Sequence, residues 1–520
     1  MESYSRFESV PQLLRHRADH QGHKIAVVHE GTSVTYAELD DRAGAVQAWL
    51  QERGVARGDR VAMLMTNSLE FLYVWFGIAR AGAVAVPVNT SSMGEGLRYP
   101  LWHSDAVGLF TDTGLAAAVD GIEPVEALRW QVAVGADPGD RIPYSEVAAT
   151  APAGRHVEVA GPDPMNIIYT SGTTGMPKGV VLSHTSYLNT GAYWAQHFGL
   201  TEDDVLHTCL PLFHCNAQQT TFMGALTLGS TVYLNKKFSL SNFWRWIDES
   251  QASMTSLLGA MLVLLAKSEQ KPTDGDNSLR FINGAPLPDL LHPVLERRFG
   301  LHVVEGYGLT ETGTMTTLSP IDDRRPGTFG LPLAYTEMKI LDEDGVAVAP
   351  GVQGQIVTRT LIPDTFMTGY YKEPEKTAEV MVDGWFHTGD AGMQREDGRF
   401  VFLDRMKDTI RRRGENISSY LVEKIIGEHA LVQEVAAVGV PSELSEDDVK
   451  VFVVRRPGAT LTEAELSQWC TTRLADFMQP RYLEFRDVFP RTETGRVQKF
   501  ELRREGVGGA WDRDAHRVSL

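Results

Sequence analysis

The chain has 520 residues, too many for one ordinary hydrophobic core, so at least two domains are expected. Hydrophobic residues make up 43% of it, charged residues 22%, and the formal net charge is -18, which argues against non-specific binding to nucleic acid or anionic membrane. Three cysteines without a CxxC pair predict no disulfide framework and a cytoplasmic location, and no apolar run is long enough to predict a membrane span.

The first half of the chain alternates between predicted helices and predicted strands. Residues 36–54 have helical spacing and end at a glycine, RVAMLM follows as a strand, SLEFLYVWFGIARAG as a second helix, and AVAVPV as a second strand. The pattern recurs with a strand at 231–235 and a helix around 243–249. This alternation predicts a mainly parallel sheet covered by helices.

The stretch YTSGTTGMPKG, residues 169–179, follows the predicted buried strand MNIIY. Its glycines allow the backbone to approach a ligand, its hydroxyls offer donors, and Lys178 adds a positive charge. Such a loop predicts a polyphosphate site, although it does not match the GxxxxGK[ST] pattern of a Walker loop. The alternative interpretation is a flexible Ser/Thr/Gly linker.

The texture of the sequence changes near Tyr335. EMKILDEDGVAVAPGVQGQIVTRT reads as strand, turn and strand, which predicts a small antiparallel sheet or barrel over 335–404. After FLDR the chain restarts with the predicted helix SYLVEKIIGEH and the predicted strands EVAAVGV and KVFVVRR. A further helix is expected to open with a capping box formed by Thr460 and Glu463.

Six further motifs follow the glycine-rich loop, in the order LPLFH (210–214), NGAPLP (283–288), YGLTET (307–312), WFHTGD (385–390), DRMKDTIRRRGENIS (404–418) and TGRVQK (494–499). With that loop they resemble the signatures of the adenylate-forming superfamily, which includes AMP-binding acyl-CoA synthetases, luciferases and nonribosomal adenylation domains. GENIS and ADFMQPRYLEF are most similar to the carnitine/crotonobetaine-CoA ligase and medium-chain acyl-CoA synthetase branches.

The resemblance implies an α/β fold. It consists of a large N-terminal domain of α/β sheets over 1–404, with the antiparallel sub-barrel at its end, and a small mobile α+β lid domain over 405–505. The Gly-rich, polar residues 506–520 are expected to form a flexible tail.

The resemblance also implies an ATP site. Its phosphate-binding residues are Thr170, Ser171, Gly172, Thr173, Thr174, Lys178 and Thr310, and Glu311 would hold Mg²⁺, a hard ion that a carboxylate suits. Gly284, Ala285 and Pro286 would pass beside adenine, with Tyr307 on its other face, while Asp390 would accept both ribose hydroxyls and Arg405 would reach the ribose or phosphate.

The lid residues follow from the same resemblance. Lys407 stands at the hinge position, and Arg411 and Gly414 belong to the face used when the thioester forms, where the arginine would meet CoA phosphates. His214 would lie between the acyl pocket and the nucleotide. Arg496 stands where the family has a catalytic lysine that bridges the carboxylate and the α-phosphate, which puts the first half-reaction in question because arginine differs from lysine in shape and reach.

The family positions of the acyl pocket fall on Asn216, Gln218, Met223, Gly259, Gly306, Gly308 and Thr314. Burying the amides of Asn216 and Gln218 without partners would be costly. They therefore favour a small, polar or aryl acid over a long-chain fatty acid.

Three functions stay open from the sequence. The first is ATP-dependent activation of a carboxylic acid with transfer to CoA; the second is adenylate formation with another acceptor or acid, as in carrier-protein loading, amide formation or nitrite activation for diazo formation. The third is nucleotide binding without catalysis. ATP, Mg²⁺ and CoA are the expected cofactors, and a homodimer or a carrier protein are further possible partners.

Overall fold

The computed structural model describes residues 5–152, 157–170, 176–285, 287, 291–342, 344–405, 409–443, 446–490, 497 and 499–516. In these ranges no helix is long and apolar enough to cross a membrane. The helices are α1 (Val10–Gln21), α2 (Tyr36–Glu52), α3 (Leu69–Arg80), α4 (Gly94–His103), α5 (Ala116–Asp120), α6 (Tyr144–Ala148), α7 (His184–His197), α8 (Met223–Leu228), α9 (Phe243–Ser250), α10 (Gly259–Lys267), α11 (His292–Phe299), α12 (Pro374–Val380), α13 (Ser419–Gly427), α14 (Glu463–Thr471) and α15 (Lys499–Arg504).

The strands of the N-terminal half are β1 (Ile25–His29), β2 (Thr32–Thr35), β3 (Arg60–Leu64), β4 (Val84–Pro87), β5 (Ala106–Asp112), β6 (Trp130–Val134), β7 (Ile142–Pro143), β8 (Pro164–Thr170), β9 (Lys178–Ser183), β10 (Val205–Thr208), β11 (Thr231–Leu234), β12 (Met254–Leu258), β13 (Phe281–Ala285), β14 (His302–Val304), β15 (Gly306–Tyr307), β16 (Thr317–Leu318) and β17 (Leu331–Pro332). Those that follow are β18 (Thr336–Leu341), β19 (Gln353–Thr360), β20 (Gly369–Tyr370), β21 (Met381–Val382), β22 (Trp385–Gln394), β23 (Phe400–Arg405), β24 (Thr409–Arg412), β25 (Glu415–Ser418), β26 (Val432–Pro441), β27 (Asp447–Arg455), β28 (Tyr482–Arg486) and β29 (Trp511–Asp512).

Two large sheets form the N-terminal part of the molecule. Their strand orders are β14-β13-β12-β10-β11-β1-β2 and β20-β9-β8-β4-β3-β5-β6-β7. Most neighbouring strands are parallel, and β1–β2, β8–β9 and β9–β20 are the antiparallel pairs. The alternating helices and strands predicted at the N-terminus are confirmed; α2, for example, opens with a capping box in which the carboxylate of Glu38 accepts a hydrogen bond of 2.8 Å from the backbone of Thr35.

The predicted change of texture near Tyr335 is confirmed as a separate antiparallel sheet. Strands β18, β19, β22 and β21 lie in this order, and β23 pairs with β22. Its core is formed by a small cluster that includes Ile340, Ile356 and Phe400. The long strand β22 carries Asp390 toward the large domain, so this sheet positions one wall of the candidate site.

The C-terminal residues form an α+β unit around the sheet β26-β27-β28-β29. Two expectations are corrected here. The capping box of α14 is formed by Thr462 and Glu465, not by Thr460 and Glu463. Within the expected flexible tail, β29 pairs with β28, and Arg513 is 5% exposed and donates a hydrogen bond of 3.1 Å to Gln479, because the tail residues complete the sheet.

Candidate active site

A cavity of about 780 Å³ lies between the large domain and the C-terminal unit. The parallel strands β10, β12 and β13 end at this cavity, as expected for ligand sites at the carboxyl ends of strands. Lining residues come from both sides of the residue 405 boundary, and they include His214, Tyr307 and Asp390 from the large domain and Arg411 and Gly414 from the C-terminal unit.

The glycine-rich loop connects two antiparallel strands. Thr170 ends β8 and lies opposite Lys178, the first residue of β9, in the strand register. The loop therefore returns into a strand instead of opening a helix, which separates it from a Walker loop. Both Thr170 and Pro177 line the cavity, whereas residues 171–175, with the predicted Ser171, Gly172, Thr173 and Thr174, lie outside the described residues.

Thr310 and Glu311 occupy a short 3-10 turn, and neither Glu311 nor the predicted Lys178 is among the residues that line the cavity. Thr310 lines the cavity, and the Glu311 carboxylate accepts a hydrogen bond of 3.0 Å from the hydroxyl of Tyr370. The ammonium of Lys178 lies 4.5 Å from the centroid of the Tyr370 ring. Burial lowers the pKa of Lys178, while the nearby charge of Glu311 acts in the opposite direction.

The donor set around Glu311 suits a magnesium ion that is brought by a nucleotide. No cluster of three or more histidine, cysteine or acidic side chains that could hold a metal by itself is present in the described part of the chain. Mg²⁺ is commonly held by one or two carboxylates, with phosphate oxygens and waters completing the octahedron. Glu311, half-buried and joined to Lys178 through Tyr370, fits such a role.

The predicted nucleoside end is assembled from three elements. Gly284 and Ala285 end β13 and line the cavity, and a Cβ on Gly284 would lie only 2.7 Å from the carbonyl oxygen of Leu257. The hydroxyl of Tyr307 donates a hydrogen bond of 2.6 Å to the carboxylate of Asp390. The backbone of Asp390 pairs with that of Arg405, so the register brings these two predicted residues side by side.

The acyl end of the cavity is lined by four of the predicted residues, Asn216, Gly306, Gly308 and Thr314. Uncharged side chains accompany them there: Phe213, Cys215, Leu257, Leu258, Met261 and Met315. Glu305, next to Gly306, also lines the cavity, and its carboxylate accepts a hydrogen bond of 3.3 Å from the backbone amide of Leu287 on the nucleoside side. A Cβ on Gly308 would lie 1.7 Å from the carbonyl oxygen of Thr314, so only glycine fits at that position.

Three predicted pocket residues do not line the cavity. Gln218 is fully buried in a π-helix, where its side-chain amide donates a hydrogen bond of 2.6 Å to the carbonyl of Leu212 and its side-chain oxygen accepts from Asn166 and Tyr187. Met223 is buried against the backbone of Gly191 in α7, and Gly259 is a buried residue at the start of α10. The polar side chain of Gln218 thus fixes the fold and gives no information on the acid.

His214 connects the two sides of the cavity. Its Nε2 lies 3.0 Å from Oε1 of Glu415, which comes from the GENIS motif of the C-terminal unit. Burial lowers the pKa of His214, but the charge and the hydrogen bond of Glu415 outweigh this effect and leave the pKa above its ordinary value. His214 is therefore held as an imidazolium more readily than an ordinary histidine.

The three consecutive arginines 411–413 have different surroundings. Arg412 is buried and pairs with Asp448 at 2.9 Å, so it stabilises the C-terminal unit. Arg411 and Arg413 line the cavity, and Arg413 also pairs with Asp476. Gly414 lines the cavity with a φ of +78°, and a Cβ there would lie 2.1 Å from Cδ1 of Leu258.

Some predicted residues lie outside the described ranges, namely Pro286, Lys407 and Arg496, and nothing is described of the Arg405 side chain. Lys499, a second cation near Arg496 in sequence, donates a hydrogen bond of 2.9 Å to Ser419 and pairs with Glu423 at 2.6 Å. Lys499 is thus committed to the interior of the C-terminal unit.

The sequence analysis missed two residues of the site. Glu415 was within a quoted motif, and its position next to Gly414 was the available signal. Tyr370 stands in the stretch TGYYKEPEKT, between the sub-barrel strands, and no local pattern there distinguishes a site tyrosine from a core tyrosine.

The family model for AMP-binding enzymes matches residues 14–371. The family model for the C-terminal domain of AMP-binding enzymes matches residues 421–496. The chain belongs to the AMP-binding enzyme family. One curated relative is a crotonobetaine/carnitine–CoA ligase from Salmonella paratyphi A. It is 32% identical to this chain over 516 residues, which cover 95% of this chain and 99% of the relative.

Solved structures agree with this assignment. The o-succinylbenzoate CoA synthetase from Bacillus subtilis, bound to a product analogue, matches this AMP-binding enzyme with a TM-score of 0.82 and 26% identity over 95% of this chain and 98% of that one. The amide bond synthetase McbA from Marinactinospora thermotolerans matches with a TM-score of 0.84 and 28% identity over 95% and 99% of the two chains. The chain is thus an enzyme of the AMP-forming acyl-CoA synthetase type.

Proposed function

We propose that this enzyme activates a small carboxylic acid, aryl or carrying at most a neutral polar group, as its acyl-adenylate and then transfers the acyl group to CoA. The observation that carries the proposal is the distribution of charge in the cavity. The charged lining residues that the structure describes are Glu305 and Asp390 of the large domain and Arg411, Arg413, Glu415 and Arg473 of the C-terminal unit, whereas the side chains named above for the acyl end are uncharged.

The phosphate end suits the first half-reaction. A carboxylate attacks the α-phosphate of ATP there, and because two anions meet, the step needs cations and donors around the phosphates. Lys178 supplies positive charge, Thr310 supplies a hydroxyl, and Glu311 would hold Mg²⁺, which neutralises phosphate charge when it is bound. Arg496 is proposed to act beside them from the lid.

The pose of the C-terminal unit suits the second half-reaction. Gly414 and Glu415 line the cavity, and Leu258 packs so closely against Gly414 that a Cβ there would lie 2.1 Å from Cδ1 of Leu258. A pantetheine arm entering along Gly414 would reach the acyl end next to His214. The similarity over both domains to a synthetase bound to a product analogue supports this interpretation.

The proposed substrate class differs from crotonobetaine and carnitine, the substrates in the name of the curated relatives. Crotonobetaine and carnitine carry a trimethylammonium group, which proteins bind with carboxylates or a cage of aromatic rings. Among the acyl-end residues named above, Phe213 is the one aromatic residue and none carries a carboxylate. The neighbouring Glu305 and Tyr307 are hydrogen-bonded to Leu287 and Asp390 on the nucleoside side. We therefore expect a neutral acid of the same shape to be preferred.

A matched pair of substrates tests this. Pyrophosphate release with ATP and CoA is measured for crotonobetaine and for its uncharged isostere (E)-5,5-dimethylhex-2-enoate, together with butyrate and benzoate. The isostere is expected to have the higher kcat/KM. A higher kcat/KM for crotonobetaine would contradict the proposed substrate class, and pyrophosphate release without thioester would contradict CoA as the acceptor.

A second candidate function is amide formation. The similarity to an amide bond synthetase, with a TM-score of 0.84, favours it, as does the departure at Arg496 from the family lysine. Turnover with an amine in the absence of CoA would support this activity. Carrier-protein loading, nitrite activation, a homodimer and a cytoplasmic location stay predictions from the sequence.

A further inference from the structure

Tyr370 contacts two charged groups of the phosphate end at once. Its hydroxyl donates a hydrogen bond of 3.0 Å to Oε1 of Glu311, and its ring face receives the ammonium of Lys178 at 4.5 Å from the centroid. Tyr370 is only 7% exposed, so both contacts are made in an environment largely screened from solvent. A charge-assisted hydrogen bond and a cation–π contact are strongest under such conditions.

The backbone around Tyr370 ties the same two motifs together. The amide of Met367 donates a hydrogen bond of 2.8 Å to the carbonyl of Glu311. Tyr370 itself pairs with Val180 of β9, the strand that begins with Lys178, and the amide of Tyr371 donates a bond of 2.7 Å to the carbonyl of Gly179. The segment 367–371, called the strap below, is therefore bonded both to strand β9 of the β8–β9 hairpin and to the 3-10 turn that carries Glu311.

Tyr370, in the strap, contacts the opposite charges of Lys178 and Glu311 separately. An ammonium and a carboxylate that both contact one tyrosine attract each other, and a direct pair would neutralise the groups that a magnesium–nucleotide complex needs. No direct ion pair between Lys178 and Glu311 occurs in the structure, and each is instead held by a different part of one phenol ring.

We propose that Tyr370 is a positioning residue of the adenylation step, which holds Glu311 oriented for Mg²⁺ through its hydroxyl and holds Lys178 oriented for the phosphates through its ring. The inference rests on the proposed adenylation function. It predicts separable effects, because the hydroxyl serves the metal carboxylate and the ring serves the lysine.

Two variants separate the two contacts. Tyr370→Phe removes the hydroxyl and keeps the ring, and Tyr370→Leu removes both. Tyr371→Phe is the matched control, since the neighbouring hydroxyl lies 3.5 Å from Asp105, away from Glu311. For each full-length variant, calorimetric binding of ATP is measured with EDTA and with increasing Mg²⁺, together with acid-dependent ATP–pyrophosphate exchange, thioester formation from premade acyl-adenylate and the melting temperature.

Tyr370→Phe is expected to raise the Mg²⁺ concentration for half-maximal exchange about tenfold, the low end of what a hydrogen bond to a charged group contributes. Its ATP affinity in EDTA and its thioester formation should match those of wild type. Tyr370→Leu should in addition weaken ATP binding in EDTA severalfold, because the lysine loses its support.

Two outcomes would overturn the inference. In one, Tyr370→Phe has the Mg²⁺ dependence of Tyr371→Phe; in the other, it lowers the melting temperature and both half-reactions to the same extent. Failure of the proposed function looks different, since wild-type enzyme would then show no acid-dependent exchange, while the effect of Tyr370 on Mg²⁺-dependent ATP binding would still be measurable.

Discussion

Nε2 of His214 and Oε1 of Glu415 lie 3.0 Å apart and join the large domain to the C-terminal unit across the cavity. The GENIS motif that carries Glu415 also carries Gly414, which lies against Leu258. The contact therefore forms only when the C-terminal unit presents this face, and it favours that pose over any pose that separates the two side chains.

The contact predicts a pH-dependent preference for the thioester-forming pose. Because Glu415 raises the pKa of His214, the ion pair is fully present below the ordinary histidine pKa of about 6.5 and is lost as the pH rises through the raised pKa. Thioester formation from premade acyl-adenylate should be about three- to tenfold faster in wild type than in Glu415→Gln at low pH, a modest figure because His214 is 38% exposed.

The quantity to measure is the ratio of the wild-type rate of thioester formation to the Glu415→Gln rate, at each pH. The thiol of CoA titrates equally in both reactions, so its effect cancels. The ratio should fall toward one with rising pH, whereas a ratio independent of pH would show that the contact does not act as an ion pair.

Gly414 should be essential to thioester formation and dispensable for adenylation. Gly414→Ala places a side chain at a φ of +78° and brings its Cβ within 2.1 Å of Leu258. Overpacking against Leu258 costs about 1–3 kcal/mol only in this pose, which predicts a loss of about five- to a hundredfold in the second half-reaction. Left-handed strain of about 1–2 kcal/mol arises within the β24–β25 hairpin and acts in both poses. ATP–pyrophosphate exchange, measured in parallel, should change far less.

A compensating change distinguishes the clash from general damage. The double variant Gly414→Ala with Leu258→Ala should recover part of the lost rate relative to Leu258→Ala alone, since the clash is removed and only the strain remains. An equal loss in both half-reactions, without recovery, would contradict the proposed pose.

The helices and strands of this protein were predictable where several sequence signals indicate the same element. Helix α2 has apolar spacing, a capping box and a terminal glycine, and each signal alone predicts it. The capping box of α14 shows the limit, because both Thr460-x-x-Glu463 and Thr462-x-x-Glu465 match the pattern. In the structure Leu461 is buried and Thr462 has the extended backbone of an N-cap residue, so the helix begins at Glu463.

The pocket was less predictable than the elements. Asn216 and Gln218 are two residues apart, and the family positions predict that both line the acyl pocket. The π-helix over Ala217–Phe222 turns Gln218 into the core, where Asn166 and Tyr187 satisfy it. A π-helix is set by tertiary contacts and has no local sequence signal, so the direction of Gln218 could not be predicted.

Gln218 and Asn216 should therefore respond differently to substitution. Gln218→Leu leaves buried partners unsatisfied and is expected to lower the free energy of unfolding by about 1–3 kcal/mol, without changing the ratio of kcat/KM between acids. Asn216→Ala should change that ratio with little effect on stability, because Asn216 lines the cavity. Thermal melting and a two-acid competition assay check both; a changed acid preference in Gln218→Leu would contradict the assignment.

Arg496 is predicted to serve adenylation alone. Arg496→Lys should keep or raise the rate of ATP–pyrophosphate exchange, because the charge is retained and the lysine has the reach for which the rest of the site is built. Arg496→Ala should lower exchange by about a hundredfold and spare thioester formation from premade acyl-adenylate. An equal loss in both half-reactions would contradict this role.

Lys499 supplies the control for Arg496, since it is the nearest lysine in the sequence. Its ammonium pairs with Glu423 at 2.6 Å and bonds to Ser419 at 2.9 Å, so it cannot reach the cavity without breaking both contacts. Lys499→Met should lower the melting temperature and change the two half-reactions alike. If Lys499→Met instead abolished exchange and spared thioester formation, Lys499 and not Arg496 would carry the charge of the missing family lysine.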